Sequence, residues 1–134
     1  MIDHHAALIY TMVMVSAADG NMTDAELRII GDDVDHLPIF RDYDQTRLGD
    51  TLRECSELLG GDDGIDEVFR KIKKALPQKL RETAYALACD VVAADGEATQ
   101  EELQILEHIR HQFYIDRLSA AAIERGTRAR FTVL

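Results

Sequence analysis

The sequence predicts an all-α fold, a single compact bundle of about seven helices organised around a duplicated helix–turn–helix unit. Three observations carry that expectation. Apolar residues recur at helical spacing along nearly the whole chain, and no stretch before the terminal RFTVL alternates as a strand does. Gly, Pro and Asx residues punctuate the pattern at the intervals short helices need. Residues 8–27, LIYTMVMVSAADGNMTDAEL, are echoed by residues 84–103, AYALACDVVAADGEATQEEL, so that ADGxxTxxEL occurs twice. The chain of 134 residues fits one domain, 1–134, with repeat units at about 6–37 and 79–112.

The elements follow in order. Helix one is expected from about Ile2 to Ala18; Leu8, Ile9, Met12, Val13 and Val15 cover most of its circumference, which marks a central helix. Gly20 ends it in the left-handed region. Thr23 and Glu26 form a capping box that opens helix two, with Leu27, Ile30 and Val34 inward and Pro38 as the stop. Residues 39–43 connect to helix three, capped by Asp44 and carrying Leu48, Leu52, Cys55 and Leu59. Gly60 and Gly61 close it. Asp62 or Asp63 starts helix four, with Ile65, Val68, Phe69 and Ile72 inward and Lys71, Lys73 and Lys74 at the end where cations are favoured. Pro77 breaks the pattern or stands in the first turn of helix five, which runs to about residue 94 and is nearly all apolar. Helix six starts at Thr99, with Leu103, Leu106, Ile109 and Phe113 inward. A last helix begins near Asp116 and buries Leu118, Ala122 and Ile123.

Composition narrows function. With 25 acidic and 15 basic residues the net charge is −10, the wrong sign for nucleic acid, whose binders cluster Lys and Arg. The excess lies in the first half: residues 1–67 hold 16 acidic and 4 basic side chains, and residues 68–134 hold 9 and 11. Cys55 and Cys89 lack the spacing of a zinc site or a disulfide scaffold, which fits a reducing cytoplasm. The apolar run near the start lacks a basic flank and is too short to span a bilayer, so no membrane insertion is expected. No nucleophile elbow, phosphate loop, dinucleotide fingerprint or paired ExxH set occurs, and an enzyme is not expected.

The chemistry is expected at the two ADG turns. Capping rules account for the Gly, Thr and Glu of each, but not for Asp19 and Asp95. A carboxylate at a helix C-terminus faces the negative end of the macrodipole, which costs roughly 0.3–1 kcal/mol. Hydrogen bonds to the amides opening the next helix would offset that, as would a cation shared with Glu26 or Glu102. An all-oxygen donor set suits calcium or magnesium, with manganese next. If the two central helices run antiparallel, the turns lie at opposite ends and a shared site is excluded. Asp90, which stands where the first repeat has Met14, reads as a helix-edge residue paired with Lys or Arg. His108 and His111 read as surface residues rather than metal ligands, as does His36 in its acidic surroundings.

Two apolar helices that each end in A-A-D-G and are each followed by T-x-x-E-L, in an acidic helical chain, resemble the TerB-like family of tellurite-resistance proteins from about Ala6 to Ile123. The resemblance implies a bundle with pseudo-twofold symmetry and a cytoplasmic bacterial protein linked to tellurium-oxyanion stress. It implies work with other Ter-type proteins at the inner face of the membrane, one of them membrane-embedded, and a coupling to metal ions. Carried onto this sequence, the acidic positions are Asp19 and Glu26 in the first copy and Asp95 and Glu102 in the second. The acidic neighbour of the motif Glu is Glu101 in the second copy but Ala25 in the first, so the second copy is the stronger metal candidate.

Overall fold

The computed structural model describes residues 1–18, 20 and 22–134. Among these the chain forms seven α-helices and no strand: α1 (His4–Ser16), α2 (Asp24–His36), α3 (Leu48–Leu59), α4 (Gly64–Ala75), α5 (Arg81–Ala93), α6 (Gln100–Gln112) and α7 (Arg117–Phe131). An apolar circumference forces a helix to be wrapped on all sides, and α1 is. Its Leu8, Ile9, Met12, Val13 and Val15 are wholly buried, and it packs along α5, α4 and α3 with α2 and α6 at its flanks. The core polar side chains of α1 have partners: the Thr11 hydroxyl donates to the Ala7 carbonyl at 2.8 Å, and the Ser16 hydroxyl donates to Glu26 at 3.0 Å. The second apolar helix, α5, lies along α1 and is covered by α7 and α6.

Local sequence fixes most helix ends. Thr23 and Thr99 cap α2 and α6 with complete capping boxes, and Asp3 and Asp116 cap α1 and α7. Asp44 caps a short 3-10 turn, Gln45–Arg47, that leads into α3. A second such turn, Pro38–Phe40, fills the connector after α2, and a third, Gln78–Leu80, follows Pro77 and shortens α5 at its start. Asp63 precedes α4 without bonding its amides, so the start of that helix has no side-chain cap.

Five inward expectations fail, since these side chains lie on helix faces that the packed core leaves open to solvent. Leu27 and Leu103, equivalent in the two repeats, are 40% and 47% exposed; Ile65 and Leu118 are 42% and 82% exposed. Ala122 is exposed as well, and α7 contacts the bundle through Ala120, Ile123 and Thr127 instead. The terminal RFTVL is not a strand, because α7 continues through Phe131.

Gly20 and Gly96 have φ of +88° and +81°, as the helix stops require. A Cβ at Gly96 would meet nothing within 4 Å, so only backbone strain opposes a side chain there. Gly96→Ala is therefore expected to lower unfolding stability by about 1–2 kcal/mol, read as a shift in urea midpoint at unchanged slope.

Candidate functional site

Each corner is built the same way. The glycine turns the chain, and the Thr hydroxyl accepts from the Glu amide at 3.1 Å in both copies. The Glu carboxylate in turn accepts from the Thr amide, at 2.9 Å in both. A capping-box glutamate ordinarily lies at the surface. Here Glu26 and Glu102 are only 1% and 2% exposed.

The two corners meet. Glu26 and Glu102 are both buried, and the Glu102 carboxyl has the Glu26 carboxyl as a like-charged neighbour. The Thr23 hydroxyl reaches across the repeats to the Asp95 carboxylate, at 3.2 and 3.3 Å from its two oxygens. The C-terminal ends of α1 and α5 therefore lie at the same end of the bundle, and the antiparallel arrangement is excluded. Burial pushes the Glu102 carboxyl up to about 7, the Thr99 amide opposes the rise, and the contact with Glu26 adds to it.

The remaining expected residues fall differently. Asp95 is exposed, and its recorded partner is a hydroxyl of the other corner rather than the amides of its own turn. Glu101 is exposed in the first turn of α6, apart from the buried pair. Asp19 lies outside the described residues. Among the described residues no three His, Cys, Asp or Glu side chains are grouped so as to hold a metal ion. Among the described residues the centre is thus a buried carboxyl pair with the surface carboxylate Asp95 bonded to Thr23 beside it. His111 bonds Glu107 at 3.0 Å and His108 packs edge-on against Phe69, in keeping with surface roles.

Asp90 is paired as expected, accepting from Arg130 of α7 at 2.8 Å. Sequence reasoning missed its second neighbour. Asp33 of α2 lies against Asp90 and has a buried carboxyl oxygen with no donor. Its carboxyl is pushed up to about 8, by burial first and then by Asp90, with Arg130 pulling the other way. The raised Asp33 carboxyl holds its proton at neutral pH, which accounts for an oxygen with no donor. The available signal was the Asp90-for-Met14 exchange between repeats, which marks where the symmetry breaks.

Both thiols are buried, and burial pushes Cys55 and Cys89 up to about 12, so neither is a thiolate nucleophile at neutral pH. No helix among the described residues is long and apolar enough to cross a membrane.

Comparison with known proteins adds one result. No curated protein and no solved structure matched the chain significantly. The family model described as tellurite resistance protein TerB matches residues 5–125, which takes in both corners and, but for the first residue of α1, the helices that build them. On that match, over an all-helical bundle with twin ADGxxTxxEL corners, the chain belongs to the TerB family.

Proposed function

We propose that this chain is a non-catalytic component of tellurite resistance whose converging corners form one proton- and cation-exchanging centre. The observation that supports it is the buried contact between Glu26 and Glu102. A helix cap needs neither the burial nor the second carboxylate. Two buried carboxylates repel unless a proton or a cation stands between them, because the charged form loses its water and gains a like neighbour. A hard divalent ion, calcium or magnesium, would take the place of the Glu102 proton between Glu26 and Glu102, with water filling the rest of its shell and the exposed Asp95 outside it. When bound, such an ion supplies charge neutralisation and a rigid link between the repeats. The exposed Tyr114 and Leu118, 79% and 82% accessible at the α6–α7 junction, offer an apolar surface for docking to Ter-type partners.

Calorimetry with calcium, magnesium, manganese and zinc tests the centre. Binding should release a proton, seen as heat that varies with the ionisation enthalpy of the buffer, and should tighten between pH 6 and pH 8 as Glu102 gives up its proton at about 7. Glu26→Gln with Glu102→Gln should abolish it. Absence of heat for every ion at millimolar concentration would leave the corners as architecture, the reading favoured by the fact that each glutamate already completes a capping box.

A further inference from the structure

We infer that the cleft between α4 and α6 is a binding site for a small dianionic oxyanion of phosphoryl type. This stands on residues remote in sequence from the ADG corners and does not rest on the cation reading. Arg70, Lys73 and Lys74 are spaced i, i+3, i+4 on α4 and line one wall of an open cleft of about 470 Å³. His108 and Gln112, spaced i, i+4 on α6, line the opposite wall, and the buried Phe69 lies beneath with the His108 ring edge-on at 4.9 Å.

Cations near a helix C-terminus are expected from the macrodipole alone, but that effect does not choose a face. Here three of the four in the run 70–74 line the cleft, and Lys71 is not among them. Their pairing is also unusual for so acidic a chain. Arg70 is bonded to Glu67 at 2.7 Å, whereas Lys73 donates to the neutral Gln112 amide oxygen at 2.9 Å. Neither Lys73 nor Lys74 has a carboxylate partner among the described residues, and the cleft is lined by one carboxylate, Asp66.

Two lysines, an arginine and a histidine lining one small cleft are side chains of the kind that phosphate-like anions take as donors. The Lys73–Gln112 bond spans the two walls, so one of the donors already reaches across the cleft.

The test is an amide chemical-shift titration of the full chain at low ionic strength with inorganic phosphate, pyrophosphate and tellurite in separate arms. Saturable shifts centred on Arg70, Lys73, Lys74, His108 and Gln112 are expected. Tighter binding of pyrophosphate would assign the site to phosphorylated metabolites, and tighter binding of tellurite to the stress oxyanion itself. Lys73→Gln with Lys74→Gln should weaken binding by about tenfold or more, and Lys71→Gln should leave it unchanged. The proposal is overturned if none of the three anions saturates at low-millimolar concentration, or if Lys71→Gln weakens binding as much as the double variant. Glu26→Gln with Glu102→Gln is expected to have no effect here, so loss of the cation centre and loss of this site are distinguishable.

Discussion

Stability should fall steadily as pH rises from about 4.5 to about 7, the reverse of what acid-denatured carboxylate proteins show. Two carboxyl groups drive it. Glu102 is raised from 4.5 to about 7 and Asp33 from 3.8 to about 8 in the folded chain. A group raised on folding holds a proton in the native state that it has already lost in the unfolded state. Its stabilising contribution is complete below the unfolded value and is lost as pH rises through the folded one, with a slope of up to about 1.4 kcal/mol per pH unit for each proton. The two windows overlap between 4.5 and about 7, where the decline should be steepest, and Asp33 alone extends it to about 8. Asp44, Glu107 and Asp116 act in the opposite sense: their hydrogen bonds lower them, so their contribution is lost as pH falls below the ordinary carboxylate range. Maximum stability should therefore lie in the mildly acidic range. Urea unfolding at a series of pH values measures the profile, and Asp33→Asn with Glu102→Gln should flatten its neutral limb. A profile that rises from pH 5 to 7 in the wild-type chain would show that neither Glu102 nor Asp33 is raised on folding.

The fold was legible because its signals are local. Thr23 and Glu26 bond within one turn, as do Thr99 and Glu102, and Gly20 and Gly96 meet a backbone need that no neighbour alters. The all-round apolar surface of α1 likewise has only one physical resolution, burial in the centre. What the sequence withheld was relative placement. Leu27 and Leu103 sit on the expected stripe of their helices, yet no partner layer covers that part of it. The candidate site divides in the same way. Glu26 and Glu102 were legible as acidic positions of a repeated turn, but their contact depends on α1 and α5 ending side by side, which no spacing encodes. Asp33 was invisible for the same reason. Within α2 it is one of several acidic residues, and only the packing of α2 against α5 sets it beside Asp90.

Arg130→Gln should lower stability at neutral pH by about 1–2 kcal/mol, the range for a charge-assisted hydrogen bond discounted for a half-exposed partner. Arg130 is 59% exposed but Asp90 only 12%, so the loss falls mainly on the carboxylate left behind. Asp90 would then face Asp33 with no cation nearby, and the Asp33 carboxyl, which Arg130 pulls down, should rise further. Carboxyl carbon NMR across pH reads that rise directly. The coupling is tested in a double-mutant cycle. In an Asp33→Asn background the side-chain amide can donate to Asp90 without a shared proton, so removing Arg130 should cost less than it does in the wild-type chain. The pH dependence sharpens the test, since the wild-type penalty should be larger at pH 9, above the value of about 8 at which Asp33 gives up its proton, than at pH 6. Equal losses in both backgrounds and at both pH values would mean that Arg130 only decorates the last turn of α7. A smaller loss with Asn at position 33 would identify the Asp33–Asp90–Arg130 cluster as the element that fastens α7 to the bundle, at the point where the two repeats cease to be equivalent.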